Sequence, residues 1–276
     1  MTAVHTMFHL QISKRFVFFA LFYAILAGFH FGYLHLLLYF HASRDEPVRT
    51  GLHSALLHNP GLSMVPVEST ERRLIHLNPN NPTSLHRYDT MIRNFLLRYT
   101  LDVAEGVRME DCSNRKHDPY SVCHFDLNSG GPCNVGNGFG YSSGKICILL
   151  KLNKVYGWVP DPVNRTDDGI RVRCAGREAI DQQLLGPACY FDLRWYREGR
   201  VAGSGPCANS RDFGLLDSIY FPYLNMGWYQ SPLVFVKFPR IKRHVLIRVK
   251  CWVEAKNIHV DVARSEGSIA FELLID

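Results

Sequence analysis

A chain of 276 residues with 47% hydrophobic and 20% charged side chains has the composition of a folded protein of one or two domains. Its net charge of +6 and 13 histidines raise the question of nucleic acid or anionic lipid. The basic residues are scattered and no run of five like charges occurs, which is the pattern of a solvated surface, so no nucleic-acid partner is expected.

Residues 1–15 form a short leading segment, read as a cytoplasmic tail, ahead of the most apolar part of the chain. From Phe16 to Phe40, "FVFFALFYAILAGFHFGYLHLLLYF" holds no Asp, Glu, Lys or Arg. As a helix rising about 1.5 Å per residue it reaches roughly 37 Å, enough to cross a hydrocarbon layer of about 30 Å with some tilt. A cleaved signal peptide is the competing reading, but the run exceeds an h-region of about 7 to 15 residues and no A-x-A-like site follows. Within the span Ala20, Ala24, Gly28 and Gly32 recur every fourth residue, a small-residue face along which another helix can approach. Tyr23 and His30 lie beside that face, where their polar atoms are costly against lipid without a partner.

Flanking charges do not orient the span, since Lys14 and Arg15 are matched by Arg44 and Arg49. The cysteines do. All 8 lie beyond residue 40, an even number spread over one domain, as oxidised pairs in a lumenal compartment are. A cytosolic zinc site is the alternative for them, but no CxxC spacing occurs. The one valid glycosylation acceptor, "NRT" at Asn164, agrees with a lumenal domain, whereas "NPT" at Asn81 is blocked by proline. The bulk of the chain is therefore expected outside, with a cytoplasmic N-terminus.

Residues 41–80, with "HNPGLSMVP" and "NPNNP", read as an irregular stalk without a regular core, and residues 81–276 as the folded ectodomain. "TSLHRYDTMIRNFLLRYT" predicts an amphipathic helix capped by Thr83 or Ser84, its stripe formed by Tyr88, Ile92, Phe95, Leu96 and Tyr99. Beyond Cys112 the pattern turns to strands. "HVLIRVKCWVE" places Val245, Ile247, Val249, Cys251 and Val253 on one face, "GIRVRCAG" places Ile170, Val172 and Cys174 likewise, and "SIAFELLID" alternates Ile269, Phe271, Leu273 and Ile275. Cys174 and Cys251 thus ride apolar faces, from which a bridge across the middle of a sandwich would start. The fold class is mainly β, a β-sandwich with one added helix behind a membrane span.

Few motifs suggest chemistry. "GGPCNVGNGFGYSSGKICILL" matches neither a phosphate loop nor GxGxxG, and reads as a glycine-rich hairpin loop between Cys133 and Cys147. No DxD metal motif is present, no hydrolase elbow is expected, and histidines and carboxylates show no ligand or triad spacing. No catalytic residue, metal or cofactor is therefore assigned. The aromatics concentrate instead in "IYFPYLNMGWYQSPLVFVKF" from Ile219 to Phe238, where Tyr220, Phe221, Tyr223, Trp228, Tyr229, Phe235 and Phe238 surround two prolines. Its end reads as a strand; the part before it is either core or a surface on which something docks.

Together "FYAILAG", "PGLSMVP", "VCHFDL", "CILLKLNKVYGW", "YFPYLNMGWYQSPLVFVKF" and "IRVKCWVEAKNI" make the chain resemble the beta subunits of sodium/potassium-transporting and related potassium-exchanging ATPases over nearly its whole length. The resemblance implies an immunoglobulin-like ectodomain, no catalytic activity in this chain, and pairing with a large catalytic alpha subunit at the plasma membrane as a single-pass type II protein. It implies three bridges, Cys112 with Cys123, Cys133 with Cys147, and Cys174 with Cys251. It further implies that the span packs on an alpha-subunit helix through aromatics such as Phe19 and Tyr23, and that Tyr220, Phe221, Pro222 and Tyr223 meet the pump's extracellular loops. Phe19 and Phe221 stand where the family usually has tyrosine, and Leu224 ends the tyrosine motif. The leading segment of about 15 residues is shorter than is usual in the family. Cys189 and Cys207 fall outside the three shared bridges; an oxidising compartment seldom leaves two free thiols, so they are expected to form a fourth. A stand-alone adhesion protein and a lumenal enzyme are the competing functions.

Overall fold

The structure is a computed structural model that describes residues 2–42, 47, 60–68, 73–100, 109–112, 121–200, 207 and 210–276, with the side chains of residues 2–13 excepted. Most of the expected stalk, and Gly203 and Gly205 of the loop before Cys207, lie outside the described residues. The chain divides into two units, residues 1–49 and 50–276.

The first unit contains the helix α1 (Thr2–His41). Its stretch Lys14–His41 is long and apolar enough to cross a membrane, and none of it is buried against protein. A helix that is apolar all round and has no protein to cover it is suited to lipid and not to water. The predicted span, residues 16–40, lies inside it.

The second unit is a sandwich of two sheets. One has the order β1 (Leu62–Val65), β5 (Cys147–Leu152), β9 (Val234–Lys237), β7 (Cys189–Phe191); the other runs β2 (Leu74–Leu77), β11 (Ser268–Ile275), β10 (Ile247–Glu254), β6 (Gly169–Gly176), β8 (Gly214–Asp217). Within these two sheets the strand pairs are antiparallel except β2 with β11. A two-residue pair, β3 (Met109–Glu110) and β4 (Val122–Cys123), stands apart. The alternation read in "IRVKCWVE" holds: Ile247, Val249, Cys251 and Val253 are buried, and Arg248, Lys250, Trp252 and Glu254 are half-buried. Val245 precedes the strand and is exposed. The central strands β5 and β9 are buried on nearly every residue, because both of their faces are covered.

Helix α2 (Pro82–Thr100) buries Tyr88, Ile92, Leu96 and Tyr99, as its spacing predicts, while Phe95 is half-buried. Its cap differs from the expected Thr83 or Ser84. Pro82 takes the first helical position, where its missing N–H costs nothing, and the Asn81 Oδ1 accepts from Thr83 N at 3.0 Å. The Tyr88 hydroxyl ties the helix to β2 by donating to the His76 carbonyl and accepting from its N–H, at 3.1 and 3.0 Å. Two shorter helices, α3 (Ala179–Leu185) and α4 (Leu193–Arg197), follow β6 and β7.

Three further expectations need correction. The segment thought irregular contributes β1 and β2, one to each sheet, so the folded core reaches back at least to Leu62. Cys174 and Cys251 are joined, but they face each other on neighbouring strands of one sheet, with Cα atoms 4.0 Å apart. The bond runs along the sheet rather than across the sandwich, since side-chain alternation gives a residue's face and not its strand's neighbour. The glycine-rich segment is not a hairpin loop between paired strands. Residues Val135–Ser143 curl into tight 3-10 turns in which Phe139 is fully buried. Gly140 takes φ of 78° there, and a Cβ on it would sit 2.1 Å from the Lys145 carbonyl oxygen.

The other expected bridges, Cys112–Cys123, Cys133–Cys147 and Cys189–Cys207, are all present, and no described cysteine is free.

Candidate partner-binding surface

The run that follows β8 begins with an anchor and ends in the core. Asp217 caps a short 3-10 turn, Ser218–Tyr220, by accepting from Ile219 N at 3.0 Å. Tyr220 points inward: it is 3% exposed, its hydroxyl donates to the His124 carbonyl at 2.9 Å, and its ring lies 5.9 Å from that of Phe125. Burial holds that hydroxyl's pKa far above the ordinary tyrosine value, so it stays a neutral donor. At the other end Leu233, Val234, Phe235, Val236 and Phe238 are all buried around β9.

Between these ends the chain is held open. Phe221, Pro222, Tyr223 and Tyr229 are half-buried, and Trp228 is 46% exposed. Asn225 and Trp228 both adopt positive φ, 60° and 63°, so the turn carrying the tryptophan is fixed in a conformation that larger residues rarely take. Hydrogen bonds pin the flanks. Tyr229 donates to the Tyr220 carbonyl at 2.8 Å, Tyr223 donates to the Asn225 Oδ1 at 2.9 Å, and the Tyr223 carbonyl accepts from Gly157 N at 2.9 Å. Behind them Gln230 Oε1 accepts from Phe125 N at 2.7 Å, and the Tyr99 hydroxyl of α2 donates to the Ser231 carbonyl at 2.9 Å. Phe221 meets Trp158 edge to face at 5.6 Å, and the Tyr223 and Tyr229 rings lie 5.0 Å apart. A cleft of about 120 Å³ opens beside Tyr220, Phe221, Pro222 and Met226.

The four residues expected to dock therefore separate. Tyr220 belongs to the core and supports the surface; Phe221, Pro222 and Tyr223 form the half-covered rim. Sequence reading missed Trp158 and Lys154, whose ammonium lies 4.9 Å from the Tyr223 ring centre and 5.3 Å from that of Tyr229. The aromatic content announces Tyr229, but nothing in "KLNKVYGW" announces that Lys154 folds against it.

On α1 the residues Phe19, Ala20, Tyr23, Ala24, Gly28 and Gly32 are all exposed. The Phe19 and Tyr23 rings stack at 6.4 Å along one stripe, and beside it Gly28 and Gly32 have nothing within 4 Å of where a side chain would begin. Asn164 is exposed in a turn, its Oδ1 accepting from Thr166 N at 3.5 Å.

The expectation that the chain lacks the GxSxG motif of a hydrolase elbow needs correction. Residues 140–144, Gly-Tyr-Ser-Ser-Gly, do carry the GxSxG spacing. A nucleophile elbow needs a strand-to-helix turn, whereas Ser142 is exposed within the 3-10 turns that precede β5. Among the described residues no group of three His, Cys, Asp or Glu side chains could hold a metal ion.

The chain is 30% identical over 275 residues to sodium/potassium-transporting ATPase subunit beta-1 of Drosophila melanogaster, covering 96% of this chain and 86% of that one. It is 29% identical over 250 residues to subunit beta-2 of the same fly, covering 79% and 71%. Against the probable subunit beta-3 of Caenorhabditis briggsae it is 29% identical over 280 residues, covering 94% and 79%. The family model described as the sodium/potassium ATPase beta chain matches residues 11–271, from the apolar helix into the last strand, and the chain belongs to that family.

Proposed function

We propose that this chain is the non-catalytic beta subunit of a sodium/potassium-transporting ATPase, which pairs with the catalytic alpha subunit, assists its folding and delivery to the plasma membrane, and modulates potassium transport. The observation that carries the reading is the family match over residues 11–271, which takes in the apolar helix and the sandwich together. Two uncovered surfaces support it: the stripe of small and aromatic side chains on α1, and the half-covered rim from Phe221 to Tyr229. Four disulfides in one domain support a lumenal and then extracellular location for residues after the helix, and hence a type II orientation.

Co-expression with an alpha subunit tests this, by surface delivery of that subunit and ouabain-sensitive current. Both rise over the alpha subunit expressed alone. If the affinity-purified chain in mild detergent brings down no protein of about a thousand residues, as pump catalytic subunits are by resemblance, the pump reading falls and a stand-alone adhesion role takes its place.

A further inference from the structure

We propose that the catalytic subunit presents one carboxylate side chain from an extracellular segment to the Lys154 ammonium, docking it where Tyr223 and Tyr229 hold that lysine. This deepens the reading of the chain as a pump's beta subunit and rests on it.

Lys154 lies just past the end of β5, exposed to solvent, with its Nζ over both tyrosine rings at 4.9 and 5.3 Å. Those rings are themselves fixed, Tyr229 by its bond to the Tyr220 carbonyl and Tyr223 by its bond to Asn225. A lysine is usually a loose, strongly hydrated point charge; this one has a defined position.

Its neighbours repeat the charge. Half-buried Lys151 on β5 and Arg98 near the end of α2 are close enough to press on it: burial, then the adjacent cations Lys154 and Arg98, push the Lys151 pKa down. Arg98 adds to burial in pushing down that of Lys154. Several ectodomain cations are paired, as Arg93 with Asp89, Arg171 with Asp167, Arg197 with Asp217 and Arg248 with Glu178. None of Arg98, Lys151 and Lys154 is ion-paired with a carboxylate among the described residues. Three neighbouring cations, two of them partly desolvated and one of these set over aromatic rings, repel one another until an anion arrives.

The space beside Lys154, bounded by Asn153, Trp158, Phe221 and Pro232, is only about 10 Å³, about the size of one water, so an anion meets the exposed ammonium from the solvent side. On a protein partner that anion is the carboxylate of an Asp or Glu, which forms a charge-assisted hydrogen bond with the ammonium.

The test uses the full chain co-expressed with the catalytic subunit and purified in mild detergent across a series of NaCl concentrations. Lys154→Gln is expected to lower recovery of the catalytic subunit about threefold and to flatten its salt dependence, and Lys154→Glu to lower it about tenfold. Lys154→Arg retains most of it. Zero-length carbodiimide coupling of the wild-type complex is expected to join Lys154 to an Asp or Glu peptide of the catalytic subunit. Reversal of that acid to Lys then rescues Lys154→Glu. Wild-type recovery with Lys154→Glu would overturn the proposal. So would a coupled peptide from this chain's own Asp102 or Glu105, or recovery that depends on added phosphatidylserine rather than on the identified acid. Thermal unfolding of each variant chain separates a lost contact from a lost fold, since an exposed lysine should leave the melting unchanged. Failure to recover the catalytic subunit even with the wild-type chain overturns the pump reading itself and this proposal with it.

Discussion

Tyr220 and Tyr223 are three residues apart in one aromatic run, yet the structure gives them opposite duties, and their substitution separates stability from assembly. Tyr220→Ala removes a ring that is 3% exposed and leaves the His124 carbonyl without its donor. Large aromatic truncations in a core cost about 3 to 5 kcal/mol. For a domain of this size each kcal/mol lowers the melting temperature by about 2–4 °C, so a fall of about 6–20 °C is expected. Tyr220→Phe keeps the ring and loses only the hydrogen bond, about 1 to 3 kcal/mol when a buried acceptor is left unpaired. Tyr223→Ala removes a half-buried ring whose hydroxyl bonds only Asn225, so its cost to the fold is about 1 kcal/mol. Intrinsic fluorescence of the full chain in detergent reads the melting, and co-purification at matched folded amounts reads the assembly. The expected result is a large melting shift for Tyr220→Ala, and for Tyr223→Ala a small shift with weakened recovery of the catalytic subunit or altered potassium dependence. A Tyr220→Ala chain that melts with the wild type but fails to assemble would refute this division of roles.

That division was not legible in the sequence, and the reason is local. Period 2 sorts "IRVKCWVE" into inside and outside because a strand alternates, but "YFPYLNMGWYQ" has turn chemistry and no period, so composition alone could not say which tyrosine faced in. The span was legible because an uncharged run of its length has few other uses. Strands β1 and β2 were hidden by brevity: each has four residues, bounded by prolines or masked by nearby Asn-Pro clusters. Their pairing is also distant, β2 lying parallel to β11 with Leu77 opposite Ile275. The helix start could have been read from Pro82, since proline favours the first helical position and leaves Asn81 as the cap. Lys154 against Tyr223 and Tyr229 joins β5 to a loop some seventy residues later, and no signal in one sequence marks such a meeting.

The remaining expectations concern the helix, the glycan and the fourth bridge. Gly28→Leu or Gly32→Leu fills open space on α1, so it should weaken recovery of the catalytic subunit while the ectodomain melts as before; unchanged recovery for both would move the helix contact to another face. Asn164 is exposed and part of the one valid acceptor, so Asn164→Gln should abolish the mobility shift given by glycan removal; a persistent shift would place the sugar elsewhere. Cys189 and Cys207 are bonded at a sequence separation of 18, and Cys189 is fully buried on β7, the edge strand opposite Lys237 of β9. The chain after Cys207 is fastened to the same edge: Ser210 N donates to the Cys207 carbonyl at 3.0 Å, and its Oγ accepts from Tyr190 N at 2.7 Å. Closing a loop of this length contributes about 3 kcal/mol in the chain-entropy model, so Cys189→Ser with Cys207→Ser should lower the melting temperature by about 6–12 °C. Because residues 210–217 lead from that edge through β8 into the Ser218–Tyr220 turn, recovery of the catalytic subunit should also fall, though the rest of the sandwich stays closed by the other three bridges. Peptide mapping of the unreduced protein should find the two cysteines in one linked pair. Alkylation of both as free thiols, or a double variant that melts with the wild type, would show that the edge of β7 is held by its hydrogen bonds alone.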